Sequence, residues 1–389
     1  MFQHGLNDKI FTMKKKIILI ASLIISLSSL AQKIVKTTSP CNDAMLMEIT
    51  GKWYKENGLS PGFMGLTAAQ IQEGAKRLEA IHKLVLEVYP TPIGTIAADV
   101  YKTFQAEFAK QVRFEKNDNG SFEEVTVTGK PFPFYYYACV LHPYFCAGTN
   151  EIGNLYPDGG SGNIEINANG GLSNFLGDCG GDYDEATIDG RRIKIKKTVA
   201  KIWKGYELCY PSGAGGPEAN EQSGSWCLLI HRKGMLPYIP VTKKQYLERA
   251  LKYFPKFFYL DPKILDMITD KQQRDEMINQ NTKLKDDVMK FYRDELDKAT
   301  KDGSLDEPAI IQGPFFSPTN TFPIFTTEEA GGNMLVTENP KYMRKDLPPY
   351  VPQFFFVSWS WNNSPSVVKF GKAINENFPI EKLQEMIDK

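Results

Sequence analysis

The chain has 389 residues, of which 42% are hydrophobic and 24% are charged, and its 46 basic and 46 acidic residues give a formal net charge of +0. This composition is typical of a folded protein, and the length is sufficient for two domains. Because the charge is balanced, no basic surface is expected for nucleic acid or for an anionic membrane, and we predict neither as a partner.

The N-terminus carries the pattern of an export signal. Three lysines at positions 14–16 precede an apolar run over residues 17–30, and small residues follow at positions that signal peptidase reads. The run is about 14 residues long, shorter than the ~20 residues that span a bilayer as a helix. We therefore predict a signal peptide over residues 1–31, cleaved after Ala31, and a secreted or periplasmic mature chain without a transmembrane span.

The next strong pattern predicts a helix over residues 66–88. Thr67 and Gln70 form a capping box, in which each side chain accepts a hydrogen bond from a free backbone N–H group. Apolar residues recur with the helical period, and Pro90 ends the pattern. His82 lies on the apolar stripe, so it is expected to face the core. It is interpreted either as a hydrogen-bonded core histidine or as a base in a pocket under a sheet.

The middle of the chain carries strand patterns separated by turns. They cover residues 125–128, 134–141, 163–167, 192–196, 205–210 and 225–231, and a further one covers residues 354–361. Residues 163–167 alternate polar and apolar side chains, so one face of that strand is expected to contact solvent. The pattern predicts an α+β fold, with an antiparallel sheet in the middle of the chain, a preceding long helix and a following helical segment.

Helical patterns return after residue 241. A second capping box, Thr242 with Gln245, opens a helix to about residue 254. Asp261 and Pro262 open a helical region that extends to Gly303 with a break near residue 269, and a last helix covers residues 380–387. A linker-like segment over residues 234–240 predicts a boundary between a region 32–236, which holds all six cysteines, and a region 237–389. The two regions could also form one domain.

All six cysteines follow the predicted cleavage site, and an even number in an oxidising compartment indicates disulfides. Cys209 and Cys227 bracket a glycine-rich loop between two strand patterns. We predict a disulfide between them, which would stabilise the fold by roughly 3 kcal/mol through loop closure. The pairing of the other four is not determined by the sequence: Cys41, Cys139, Cys146 and Cys179.

The motif GDCGG over residues 177–181 resembles the nucleophile loop of chymotrypsin-like proteases and of their viral cysteine-protease relatives. That chemistry also requires a histidine base, an orienting acid and two β-barrels. His82 lies inside a helix pattern, and His142 is too close in sequence to belong to the other barrel. We therefore interpret Cys179 as a disulfide cysteine in a glycine turn rather than as a nucleophile.

Two groups of residues have the composition of a metal site, but neither leads us to predict a metal or a cofactor. Cys139, His142 and Cys146 have zinc-like spacing, with Cys179, His231 or water as the fourth ligand, but oxidation competes with metal binding in an exported protein. An acidic loop offers oxygen ligands for calcium, although its spacing does not match an EF-hand and a solvated turn is the alternative. Its aspartates are Asp178, Asp182, Asp184 and Asp189.

A pair of tryptophans is the clearest candidate for a binding surface. Trp359 and Trp361 are two residues apart on a predicted strand, so their side chains share one face. Adjacent indoles could form a platform for sugar rings. Phe355 and Val357 lie on the same face, which favours the alternative that all four side chains belong to the sheet core.

Three segments resemble uncharacterised exported proteins of Bacteroidota-type bacteria: MKKKIILIASLIISLSSLAQ, KGMLPYIPVTKKQYL and NPKYMRKDLPPYVPQFFFVSW with NFPIEKLQEMI. The resemblance implies localisation and no particular activity. We expect a non-catalytic binding or interaction protein of the cell envelope or exterior, with a glycan or another envelope protein as partner. The alternative is a hydrolase with a pocket that joins His82, His142 or His231 to one of the acids.

Overall fold

The computed structural model describes residues 34–56, 66–107, 110–116, 122–128, 132–154, 162–178, 187–188, 191–211, 223–312 and 324–389. Within these ranges the chain forms helices together with large, mostly antiparallel sheets, an α+β arrangement. No helix in the described ranges combines the length and the apolar composition that crossing a bilayer requires.

The helices are α1 (Asp43–Met47), α2 (Ala68–Val88), α3 (Leu172–Phe175), α4 (Lys243–Phe257), α5 (Pro262–Met267), α6 (Lys271–Lys301), α7 (Pro365–Asn377) and α8 (Ile380–Glu385). The strands of the first half are β1 (Val35–Lys36), β2 (Lys52–Glu56), β3 (Thr95–Glu107), β4 (Lys110–Lys116), β5 (Phe122–Thr128), β6 (Phe132–Gly148), β7 (Glu151–Asn154), β8 (Asn163–Ala168) and β9 (Gly177–Asp178). The remaining strands are β10 (Thr187–Ile188), β11 (Arg191–Ile195), β12 (Val199–Trp203), β13 (Tyr206–Cys209), β14 (Gly224–Ile230), β15 (Tyr238–Pro240), β16 (Ile310–Ile311), β17 (Asn333–Glu338) and β18 (Phe355–Trp361).

Helix α2 begins at the predicted capping box. The Gln70 N–H donates to the Thr67 hydroxyl at 3.2 Å, and the Thr67 N–H donates to Gln70 Oε1 at 2.9 Å. These two bonds satisfy backbone donors that the first turn of a helix leaves without partners. The buried stripe of the helix includes Leu78, Ile81 and Val85, which fix its orientation on the large sheet.

The large sheet has the strand order β1-β7-β6-β8-β18-β14-β13-β12, with β3 joined to β6 and β2 joined to β3. Every neighbouring pair is antiparallel except β2 with β3. Strand β6 is long enough to pair with both β3 and β8 and, beyond them, with β7. One face of this sheet packs against α2, α7 and α8 to form the main hydrophobic core.

The second sheet has the order β10-β11-β17-β15, with β9 joined to β11 and β16 joined to β17. Helices α4 and α6 pack on it, and the stacked rings of Phe254 and Tyr292, with centroids 4.7 Å apart, lie in this second core.

A third apolar cluster lies between the two sheets. Strand β14 shows the alternation that produces it: Trp226, Leu228 and Ile230 belong to the main core, whereas Cys227 and Leu229 face Tyr238 and Val336 of the second sheet. The layers therefore follow the order helix, sheet, sheet, helix over this part of the molecule.

The predicted boundary near residue 237 does not separate two sheets. Strand β18 lies between β8 and β14 in the large sheet, with seven registered residue pairs to β14. Strand β17 pairs with β11 in the second sheet. Regions 32–236 and 237–389 therefore both contribute strands to the two sheets, which supports the one-domain alternative.

One disulfide is formed within the described residues. Cys41 is bonded to Cys146, with Cα atoms 5.6 Å apart, and it attaches the N-terminal segment to the β6–β7 hairpin. Cys139, Cys209 and Cys227 are buried thiols. Cys209 and Cys227 lie directly opposite each other but are not bonded in the structure. The disulfide predicted between them therefore stays a prediction. Cys179 lies outside the described residues.

Arg232 connects the C-terminal end of the chain to the body of the fold. Its guanidinium donates to both carboxylate oxygens of Asp388, at 2.5 and 2.7 Å, and to Gln353 Oε1 at 2.6 Å. It also donates to the Tyr342 carbonyl and lies 4.6 Å from the centroid of the Tyr342 ring. The guanidinium thus satisfies several half-buried acceptors at once.

We expect Arg232→Ala to lower the free energy of unfolding by about 2–4 kcal/mol, because it leaves the partly buried Asp388 carboxylate and the Tyr342 carbonyl without this donor. Chemical denaturation would measure the change. The matched control is Arg344→Ala, because Arg344 makes a similar two-bond ion pair with Asp346 at an exposed position. Equal effects of the two substitutions would contradict the role given to Arg232.

Candidate functional site

The large sheet has one apolar face and one face with polar side chains. Eight residues on β3, β6, β8 and β18 point away from the main core and are all half-buried, whereas most residues that alternate with them are fully buried. We call this set the polar face. It consists of Asp99, Tyr101, Tyr136, His142, Asn163, Glu165, Ser358 and Ser360.

Strand register places these side chains in neighbouring rows. Glu165 of β8 lies opposite Ala138 of β6 on one side and Ser358 of β18 on the other. Tyr101 of β3 lies opposite Ala138, so it belongs to the same row. Both direct neighbours of Glu165, Ala138 and Ser358, have small side chains.

Glu165 is a carboxylic acid at a position that disfavours its charge. Burial raises the pKa of the Glu165 carboxyl above its usual range, because the half-buried carboxylate is less well solvated than in water. In the described part of the chain, no lysine, arginine or histidine side chain forms an ion pair with it. An acid with a raised pKa and no paired cation marks a candidate functional site.

Tyr136 lies close to this carboxyl group. Burial, the Glu165 carboxylate and Tyr101 together raise the pKa of Tyr136 to about 12, so its phenol remains a hydrogen-bond donor at neutral pH. Tyrosine combines an apolar ring with a polar tip. Two neighbouring rows of the polar face therefore carry an acceptor, a donor and two aromatic rings.

A histidine and an aspartate form a second polar group on the same face. His142 Nε2 lies 2.8 Å from Asp99 Oδ2, and the two side chains are 16% and 25% exposed. Because the carboxylate can only accept, the imidazole donates through Nε2, which orients the ring. Nearby, burial and then Tyr54 raise the pKa of Tyr144, and Tyr54 itself is 52% exposed.

His82 is a core residue and does not belong to this face. It is 0% exposed, its Nδ1 lies 3.0 Å from the Tyr137 hydroxyl, and its ring contacts Trp53 edge-on. The helix stripe on which the sequence places it faces the apolar side of the sheet. His82 is therefore in the environment expected of a hydrogen-bonded core histidine.

Trp359 and Trp361, considered in the sequence as a sugar-binding platform or as sheet core, are not exposed. Trp359 is 2% exposed and Trp361 is 6% exposed, and both lie beneath α7 in the main core. Trp359 Nε1 donates to Asn375 Oδ1 at 2.9 Å. A Cβ atom at Gly371 would lie 2.6 Å from the Trp361 ring, so this glycine permits the close approach of α7. The strand is covered on this side because its apolar stripe is continuous.

The metal interpretations have no support in the described residues. No group of three or more histidine, cysteine and acidic side chains there is arranged to hold a metal ion. Cys139 faces the main core, His142 belongs to the polar face and Cys146 is oxidised, so the zinc-like spacing does not bring these side chains together. Asp178 ends strand β9, while Asp182, Asp184, Asp189 and Cys179 lie outside the described residues.

His231 takes part in local structure. Its Nδ1 lies 2.8 Å from the Arg232 carbonyl oxygen, and its own carbonyl accepts from Gln384 Nε2 at 3.0 Å. Of the three histidines considered for a hydrolase, only His142 forms a hydrogen bond with a carboxylate within the described residues.

Sequence reasoning identified His142 but missed Asp99, Tyr101, Tyr136 and Glu165. The available signal was the alternation over residues 163–167, which predicts a solvent-facing side for the strand that carries Glu165. The other three depend on which strands become neighbours.

No protein-family model, no curated protein and no solved structure matches the chain.

Proposed function

We propose that the protein is an exported binding protein and that the polar face of the large sheet binds a carbohydrate. Export is supported by the predicted signal peptide and by the Cys41–Cys146 disulfide, since disulfides persist in oxidising compartments. The observation that carries the binding proposal is Glu165, a half-buried acid among tyrosines and small residues.

The argument from Glu165 is energetic. A half-buried carboxylate that forms no ion pair within the described residues opposes folding at neutral pH, and such local conflicts concentrate at functional sites. A ligand that donates hydrogen bonds to the carboxylate would remove the conflict. Hydrogen bonds to a charged group are stronger than those between neutral groups, so this one residue can supply much of the affinity.

The mixture of groups on the polar face favours hydroxyl-rich ligands. Glu165 and Asp99 accept hydrogen bonds, Tyr136 donates, and Asn163 and Ser360 can do both. A sugar hydroxyl both donates and accepts, whereas a protonated amine only donates. The Tyr101 and Tyr136 rings add flat apolar surface for the sugar ring.

The test is Glu165→Gln, which keeps the shape and removes the charge. We expect affinity for neutral oligosaccharides to fall about 10- to 100-fold, the equivalent of one hydrogen bond to a charged group. A glycan array on the wild-type protein would identify the ligand, and calorimetry would compare the variants. The matched control is Glu207→Gln, an exposed glutamate on β13 of the same sheet. An array without any bound glycan, or equal affinities for both variants, would refute the proposal.

Glu165→Gln should also change stability in a pH-dependent way. The pKa of Glu165 is raised on folding, so ionisation of this group weakens the folded state above that pKa and has no effect where the acid is protonated in both states, below about pH 4. The variant is therefore expected to unfold at a higher temperature than wild type near pH 7. This gain should disappear as the pH is lowered. A variant that is less stable at pH 7 would contradict the assigned environment.

The His142–Asp99 pair favours a second candidate function, hydrolysis at the same face. A histidine oriented by a carboxylate can act as a general base toward water, and both side chains are partly exposed. A panel of chromogenic glycosides and esters would test it. Turnover by wild type that is lost in His142→Gln, with glycan binding retained, would establish the enzyme. Absence of turnover would leave binding as the function.

A further inference from the structure

We infer that Cys209 and Cys227 form a second disulfide, which attaches the β12–β13 hairpin to the large sheet and closes before the two sheets pack together. Cys209 and Cys227 are both buried and are not bonded to each other in the structure. This inference is independent of the ligand proposed above.

The strand register places the two cysteines next to each other. Cys209 of β13 and Cys227 of β14 are directly opposite partners in an antiparallel pair. Opposite residues in such a pair have Cα atoms about 4.5–5.5 Å apart, which falls within the range of about 4.4–6.8 Å found across disulfides. The bond can therefore form without a change in strand pairing.

The position of the pair shows what the bond would do. Strand β14 has seven registered pairs with β18 on its other side, whereas its pairing with β13 consists of one registered pair, Cys209 with Cys227. Among the strands that the structure describes, β12 is joined only to β13. A covalent bond at this one pair would hold the whole hairpin to the sheet where backbone pairing is shortest.

Burial determines when the bond can form. Cys209 is 1% exposed and Cys227 is 0% exposed, in the cluster between the two sheets. Burial is the main cause that raises the pKa of Cys209 to about 11 and that of Cys227 to about 12, so the reactive thiolate is scarce in the folded protein. Lys197, itself buried, opposes both shifts without cancelling them. Oxidation is therefore expected while this cluster is still open.

The chemistry is thiol–disulfide exchange with an external disulfide, such as a protein oxidant or oxidised glutathione. One cysteine loses its proton and attacks a sulfur of that disulfide, which forms a mixed disulfide and releases one thiolate. The second cysteine then attacks the mixed disulfide, forms the Cys209–Cys227 bond and releases the other thiolate. The protein loses two electrons and two protons, and the external disulfide is reduced to two thiols.

The test is disulfide mapping of the wild-type protein after secretion into an oxidising compartment. No lysine or arginine lies between Gly205 and Arg232, so trypsin leaves both cysteines in one peptide; cleavage after Glu218 or Glu221 separates them. We expect two peptides joined by a bond that resists alkylation in denaturant until reductant is added. Alkylation of both cysteines in denaturant without reductant would overturn the inference.

Accessibility provides a second measurement that needs no variant. Cys146 is exposed, whereas Cys209 and Cys227 are buried. Under native conditions, a small-molecule reductant should open Cys41–Cys146 first and the Cys209–Cys227 bond at least tenfold more slowly. Equal rates would show that the second bond does not lie between the sheets. Protein refolded in reductant should acquire the second bond slowly when an oxidant is added after folding, and rapid acquisition would contradict closure before packing.

Discussion

Replacing Cys41 and Cys146 together by serine is expected to lower the free energy of unfolding by about 3–5 kcal/mol. The disulfide joins residues 105 positions apart, so the unfolded chain loses many conformations when the bond is present. In the folded protein the disulfide reinforces the short pairing between the N-terminal segment and the large sheet. Strand β1 contributes only two residues to the sheet, and the Cys41 N–H donates to the Thr149 carbonyl at 2.6 Å.

The measurement is chemical denaturation of wild type and of the double variant, each with and without mild reductant. Reductant should move the wild-type transition to that of the variant and leave the variant unchanged. A double variant that unfolds at the wild-type denaturant concentration would show that the N-terminal segment is held by other contacts.

Trp359→Ala is expected to cost about 3–5 kcal/mol, because it removes a large buried side chain and leaves a cavity that the surrounding layers cannot fill. The indole is 2% exposed, lies 5.6 Å from the Trp203 ring by centroid distance, and donates to the Asn375 side chain. Its removal also leaves the half-buried Asn375 side chain without this hydrogen-bond donor.

Two controls separate these contributions. Trp359→Phe keeps most of the apolar volume and removes the indole N–H, so a smaller loss is expected. Ile202→Ala changes an apolar side chain that is 65% exposed on edge strand β12, and it should alter stability by less than about 0.5 kcal/mol. Thermal unfolding would rank the three variants. A Trp359→Ala protein as stable as Ile202→Ala would restore the surface interpretation of the tryptophans.

The environments of Trp359 and Glu165 together move the predicted binding surface to the other side of the sheet. The sequence shows two indoles on one face of a strand, a pattern shared by carbohydrate platforms and by buried sheet cores. Helix α7 decides between them by covering this face. Half-buried tyrosines are on the opposite face, where the aromatic contribution to binding is now proposed.

Several features of the fold follow from short stretches of the sequence. The capping boxes at Thr67 and Thr242 predict where two helices begin, and both sets of hydrogen bonds are present in the structure. Asp261 caps α5, and Asp270 caps α6 after a short interruption. These signals are readable because they depend on donors and acceptors within three or four residues of each other.

Strand β3 shows the limit of such reading. It covers 13 residues, from Thr95 to Glu107, yet it contains Ala, Asp and Lys, which are uncommon in strands, and no strand is predicted there. Strand β3 forms because it pairs with β6 over nearly its whole length. Its inner residues Ala98 and Val100 are buried in the main core. Tertiary contacts therefore override a weak local preference.

The sequence by itself determined the positions of the capped helices and the solvent-facing side of the Glu165 strand. Only the tertiary structure decided that Asp99 meets His142 and that Glu165 lies beside Tyr136. The physical reason is the separation along the chain between the residues that interact. A helix cap or an alternation is satisfied within a few residues, whereas neighbours in a sheet are chosen by packing of entire layers, and one added or lost residue of register would turn each of these side chains to the other face.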